Sequence, residues 1–252
     1  MAPMQNTPQV KLALVGVSRN CFPMELTRAR MAKVVEACRK AKVEIIACET
    51  IIETEKDAIK ALAELRSKHV NALAIYLGNF GPEGPMTILA REFGGPFMLC
   101  AAAEESAGSL IDGRGDAYCG MLNASLNCGL RRLQAHIPDA PVGSPDQVAA
   151  MLAHFTRVAR VVIGVKKLKA ITFGPRPEDF YACNAPIQPL YDLGVEVMEN
   201  SELDMLQIYQ QAASKTKRIE ETMTSIKNEV GASSFKNPVS YTHLTLPTNR
   251  EV

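Results

Sequence analysis

Four short apolar runs, KLALVGV (11–17), VEIIACE (43–49), ALAIYL (72–77) and PFMLCA (96–101), each stand apart from the next by enough chain for a loop and a helix. No other feature narrows the possible folds so far. After the first run comes the polar segment SRNCFP, and then Met31, Val34, Val35 and Cys38 recur at helical spacing to about Lys40. After the second, Ala58, Ala61, Leu62 and Leu65 share one helical face. The third leads into GNFGPEGP, where Pro85 is placed to open a short helix running to Phe93. Residues 120–130 read as another helix and residues 133–137 as a fifth strand. Runs that are apolar throughout, alternating with helices, predict parallel strands buried on both faces. The expected fold is α/β, a doubly wound parallel sheet.

The next helix has a legible start. Ser144 can cap it, Pro145 suits the first helical position, and Gln147 completes an S-x-x-Q capping box. Val148, Met151, Leu152, Phe155, Val158 and Val162 then form a stripe that ends at Lys166, Lys167 and Lys169. A second series follows: a strand at 169–174, a helix at 186–193, a strand at 195–199, and helices at 202–213 and 218–230, the last stopped by Gly231. The expected division is an N-terminal α/β domain over 1–166 and the start of a second, truncated α/β domain over 167–238. The final stretch, VSYTHLTLPTNREV (239–252), resembles translated adapter DNA and is expected to be non-native and poorly packed.

Composition sets the class of partner. A formal charge of +1, with 47% hydrophobic and 22% charged residues, describes a globular chain with no field to gather nucleic acid or an anionic membrane. No apolar run approaches the roughly 20 residues of a bilayer span, and MAPMQNTPQV lacks the pattern of a secretory leader. The seven cysteines form no CxxC pair and are odd in number, which favours a reducing compartment. The expected location is the cytoplasm, and the expected ligand a small molecule.

In an open parallel sheet, ligands gather at the carboxyl ends of the strands. The loops there are 18–23, 78–85, 102–120 and 173–186, each carrying charged residues with Gly or Pro. VGVSRN is not GxGxxG, GxxxxGK[ST] is absent, and so is GxSxG, which leaves NAD, nucleotide phosphate and a serine hydrolase without support. The four histidines, at 69, 136, 154 and 243, lack metal-ligand spacing and read as structural. Glu104 with Glu105, or Asp112 with Asp116, could serve as an acid/base pair, although loop carboxylates are usually solvated. Cys21 beside Arg19 is a weaker nucleophile candidate, with no histidine near it in sequence.

ALVGVSRNCFP, LGNFGPEGP, AAAEESAGSLIDGRGDAYCGMLNAS and ITFGPRPEDFYACNAPIQPLYDLGVEVMENSELD together resemble the L-fucose and L-arabinose isomerase family, especially its shorter fucose-isomerase-like members. The likeness runs from about Lys11 to Asp204 and more weakly to Val230. It implies an oligomeric enzyme that interconverts aldoses and ketoses through an enediol, with a divalent metal, typically manganese, holding two sugar oxygens. In such enzymes the metal-binding residues lie further along than this chain reaches, so no catalytic or metal-binding residue is assigned. The fragment is expected to be inactive alone. The resemblance also implies that the first loop contributes to a neighbouring subunit's sugar site, which marks Arg19 and Asn20. Loop position and likeness together add Glu83, Glu105, Arg176 and Asn184 as substrate-binding candidates. The alternative is a sugar-binding or regulatory module without catalysis.

Overall fold

The computed structural model describes residues 7–105, 114–174, 178–183, 186–212 and 216–230. They fall into two compact units that divide between Lys166 and Lys167. In the first unit the elements are β1 (Leu12–Val17), α1 (Met24–Lys40), β2 (Ile46–Ala47), α2 (Glu55–Ser67), β3 (Ala72–Leu77) and α3 (Glu83–Phe93). After them come β4 (Phe97–Ala102), α4 (Ala117–Leu130), β5 (Ala135–His136), β6 (Val142–Gly143) and α5 (Pro145–Val165).

The sheet runs β2-β1-β3-β4-β5, with β6 also on β4, and all its pairings are parallel. β1 and β3 pair from Leu12 opposite Ala72 to Val17 opposite Leu77, and β3 pairs with β4 from Leu73 opposite Phe97 to Leu77 opposite Ala101. Each of these three central strands is six residues long and buried throughout, because helices cover both faces. α1 packs with α5 on one side, and α3 packs with α2 and α4 on the other. The chain reverses direction between β1 and β3: β2 is laid down on one side of β1, and later strands on the other. That reversal opens a crevice at the carboxyl ends of β1 and β3.

Local chemistry explains the element ends. The Ser144 hydroxyl accepts from the Gln147 N–H at 3.4 Å while the Gln147 side chain accepts from the Ser144 N–H at 2.8 Å, the reciprocal box that the sequence predicts. α2 starts in the same way with Thr54 and Asp57. Three helices leave through a left-handed residue that is not glycine: Lys42 after α1, His69 after α2 and Arg132 after α4, with φ of 56°, 53° and 55°. In each, the next residue's N–H reaches back to a helix carbonyl: Val43 to Cys38, Val70 to Leu65 and Leu133 to Cys128, at 2.9 to 3.0 Å. The cationic Lys42 and Arg132 suit the negative ends of α1 and α4.

Several boundaries differ from the sequence reading. The second strand is shorter than residues 43–49 predicted, because the Glu64 carboxylate takes the N–H groups of Glu49 and Thr50 that a longer ladder would use. The chain rejoins β1 at Ile52, whose N–H donates to Gly16 O. α3 begins at Glu83 rather than Pro85: Pro82 is the extended cap, and Pro85 falls in the first turn, where a missing N–H costs nothing. α4 begins at Ala117, three residues early, after a left-handed Asp116. The fifth strand, expected at 133–137, is shortened to β5, and β6 is a further short strand beyond a segment holding Pro138 and Pro141. Among the described residues, α5 is the one helix long and apolar enough to cross a membrane. Its Val148, Leu152, Phe155 and Ala159 belong instead to the buried core.

The second unit holds β7 (Lys169–Phe173) paired in parallel with β8 (Glu196–Asn200). Its helices are α6 (Gln188–Asp192), α7 (Glu202–Ala212) and α8 (Thr216–Val230), with a 3-10 turn at Tyr181–Cys183. Val195 is its one buried hydrophobic side chain among the described residues. The tail 239–252 lies outside the described residues.

Candidate functional site in the crevice between β1 and β3

Asn79, fully buried just past the end of β3, organises the crevice. Its side-chain oxygen accepts from the Arg19 N–H at 3.1 Å and the Gly81 N–H at 3.2 Å, while its amide donates to Ser18 Oγ at 2.8 Å and Pro23 O at 3.4 Å. One side chain thus ties the loop after β1 to the loop after β3. Gly78 and Gly120 allow the close approach: a Cβ at Gly78 would stand 2.7 Å from Thr27 Cα, and one at Gly120 2.0 Å from Phe80 O.

Arg19 lies in this frame. Its guanidinium sits 4.7 Å from the Phe80 ring centroid, Nε donates to Gly81 O at 3.0 Å, and Nη2 donates to Glu83 Oε1 at 3.3 Å. Phe22 stacks on Phe80, with the ring centroids 6.2 Å apart. The other oxygen of Glu83 accepts from Asn127 Nδ2 at 3.0 Å. Of the five N–H donors of an arginine, two are engaged here. The rest face no partner among the described residues. The two side chains are about one-third exposed, 34% and 37%, so the pair is reachable from solvent.

A second brace lies beneath. Arg30, only 4% exposed, donates through Nη1 to Gly78 O at 2.8 Å and through Nη2 to Glu104 Oε2 at 2.6 Å. Glu104 Oε1 in turn accepts from the Gly115 N–H at 3.3 Å. Arg30 therefore links α1 to the loops that follow β3 and β4.

Of the six residues that the sequence singled out, the structure brings Arg19 and Glu83 into direct contact. Asn20 is exposed beside them and has no hydrogen bond among the described residues. Glu105 pairs with Lys33 of α1 at 2.5 Å, and that hydrogen bond holds its carboxyl below the ordinary range. Arg176 and Asn184 lie outside the described residues. Sequence reasoning missed Asn79, Phe80, Phe22, Arg30 and Asn127. Asn79 and Phe80 stand inside the GNFG segment that it singled out, so strand order would have brought them to notice.

The remaining candidate groups sit in other settings. Glu104 is committed to Arg30, and Asp116 pairs with Arg114. All seven cysteines are free thiols; burial pushes Cys38 up to about 11 and Cys100 up to about 12, values of inert thiols. His136 stacks between His154 and Phe155, and burial, with His154 beside it, lowers its basicity. These two imidazoles line a separate cavity of about 440 Å³ beside β5, which β4 separates from the crevice. Among the described residues, no group of three or more His, Cys, Asp or Glu side chains is placed to hold a metal ion.

The crevice therefore presents the unengaged N–H groups of Arg19, partly exposed, as donors to the oxygens of a polar ligand. No curated protein matches the chain. The family described as fucose/sulfoquinovose isomerase, N-terminal domain, matches residues 13–166, which hold the whole crevice and more than half of the sequence. The chain belongs to the fucose/sulfoquinovose isomerase family, and its first unit is that family's N-terminal domain.

Proposed function

We propose that this chain is the N-terminal part of a metal-dependent aldose-ketose isomerase and that its crevice forms one wall of the sugar site. The observation that carries this reading is Arg19, laid on Phe80 and braced by Gly81 and Glu83, with donors to spare, at the reversal point of a family-matching sheet. Isomerisation moves hydrogen between adjacent carbons through an enediol, and a bound divalent cation, manganese in our reading, would polarise the two sugar oxygens. The described residues offer such a cation no ligand cluster. Their part is binding: Arg19 donates to sugar oxygens, Phe80 supports the guanidinium from below, and Asn79 and Arg30 hold the loops in place.

The reading extends to a cytoplasmic homo-oligomer in which the crevice serves the active site of a neighbouring copy. Tyr118, Leu122, Leu126 and Leu130, four residues apart along α4 and each more than half exposed, give an apolar stripe of the kind that subunit contacts cover. The chain alone is expected to show no aldose-ketose conversion with manganese. NMR titration with L-fucose at millimolar concentration is expected to shift signals around Arg19, Phe80 and Glu83. Conversion by the chain alone would refute the missing-ligand reading, and tight metal-free binding would favour a non-catalytic sugar module. No response to the sugar would refute the site.

A further inference from the structure

We propose that Glu83 is a specificity-determining residue: by neutralising Arg19 it makes the crevice select an uncharged, hydroxyl-bearing sugar over one that carries a sulfonate. The inference rests on the reading of the crevice as a sugar site and narrows the class of sugar.

The charges on this edge of the sheet support it. An anion site needs a cation or a helix N-terminus without its own counter-charge. Among the described residues of the loops after β1, β3 and β4 and the facing turns of α1, each one is matched; Arg131, just past the end of α4, has no carboxylate partner and donates to Asn127 Oδ1. Arg19 meets Glu83 at 3.3 Å, Arg30 meets Glu104 at 2.6 Å, Lys33 meets Glu105 at 2.5 Å, and Arg114 meets Asp116. Arg28, on the next turn of α1, pairs with Glu25 at 3.4 Å. The helix starts are filled as well: Glu83 occupies the first turn of α3, Glu25 the first turn of α1, and Asp116 the position before α4.

Glu83 is also held in place. Asn127 Nδ2 donates to its second oxygen at 3.0 Å, so the carboxylate is gripped from both sides and cannot swing away without losing a bond. A sulfonate drawn to Arg19 would meet this fixed negative charge and, among the described residues of these loops, no free positive one. A hydroxyl meets no such penalty, since the unengaged N–H groups of Arg19 can donate to neutral oxygen.

The test compares the chain with Glu83→Gln and with Glu83→Gln/Arg19→Gln, using inorganic sulfate and L-fucose as probes. The readout is NMR shifts of the loops after β1 and β3 at low ionic strength, where a single charge counts most. Native folding of each variant is checked by circular dichroism, and Glu83→Ala serves if the glutamine variant is unfolded. The expected result is no sulfate response in the parent chain and, in Glu83→Gln, affinity raised roughly tenfold or more, the effect of removing one nearby charge. The response should vanish in the double variant. Sulfate binding to the parent crevice, or no gain in Glu83→Gln, overturns the proposal. A fucose response accompanied by parent sulfate binding overturns the selectivity alone. No fucose response in any form overturns the sugar reading and the selectivity with it.

Discussion

Gly120 and Gly129 lie in the same helix, and alanine at the two positions should have opposite effects. Both positions gain helix propensity on losing a glycine, by up to about 1 kcal/mol. At Gly129, exposed near the end of α4, nothing stands within 4 Å of an added Cβ. Gly129→Ala should therefore stabilise the fold, by about 0.5 to 1 kcal/mol. At Gly120 the Cβ would stand 2.0 Å from Phe80 O and 2.6 Å from Phe80 C, so helix and loop must part by more than an ångström to restore ordinary contact. The obstacle is backbone, which has no rotamer to change. Overpacking of this kind costs about 1 to 3 kcal/mol or more, which outweighs the propensity gain. We expect Gly120→Ala to lose about 2 kcal/mol net, a fall in Tm of roughly 4 to 8 °C for a unit of this size. Urea and thermal melts followed by circular dichroism measure both variants. Because Phe80 carries Arg19, Gly120→Ala should also weaken the response to L-fucose, and Gly129→Ala should not. A stabilised Gly120→Ala would refute the close approach of α4 to the loop after β3.

Two further outcomes follow from buried polar groups. Asn79→Ala strips partners from the N–H groups of Arg19 and Gly81 and from Ser18 Oγ, and should cost about 3 kcal/mol in urea melts, at one to three per orphaned group; a loss under 1 kcal/mol would refute the clamp. Glu64 gives a dependence on pH. Burial works to raise its carboxyl, but hydrogen bonds from Cys48, Lys68 and the N–H groups of Glu49 and Thr50 outweigh burial and hold it at about 2, against an ordinary 4.5. Its folded value is depressed, so its contribution, of order 3 kcal/mol, is present above pH 4.5 and is lost as pH falls toward 2. Glu64→Gln should flatten the stability profile between those limits, and an unchanged acid limb would refute the assignment.

The parts of the fold legible in the sequence are those where local pattern and final environment agree. β3 falls on the predicted residues 72–77 because a strand covered on both faces needs apolar side chains throughout, and its neighbours supply complete ladders. The start of α5 was readable because Ser144 and Gln147 satisfy each other within one turn. β2 was overread because its apolar run continues past the point where Glu64, fifteen residues on, takes over the backbone donors. The site shows the same limit. Arg19, marked by the family resemblance, and Glu83, marked by loop position and likeness together, meet across the crevice, but Asn79 works on a residue 60 positions away, and Arg30 on residues 48 and 74 positions away. A clamp across such distances leaves no periodic trace; the order of the strands is what brings its ends together.

The helix exits through Lys42, His69 and Arg132, with Gly94 serving after α3, make the two rims of the sheet unequal. At the amino rim, the turns after α1, α2 and α4 are each closed within six residues by their own backbone, and the apolar residue that locks the turn also leads into the next strand. Insertions or deletions there would shift a whole strand out of register. At the opposite rim the connections after β1, β3 and β4 are held by side chains reaching across from other segments, so their lengths and sequences can change while the strands stay aligned. One border of the domain is thus fixed by local geometry, and the other is left freer to diversify.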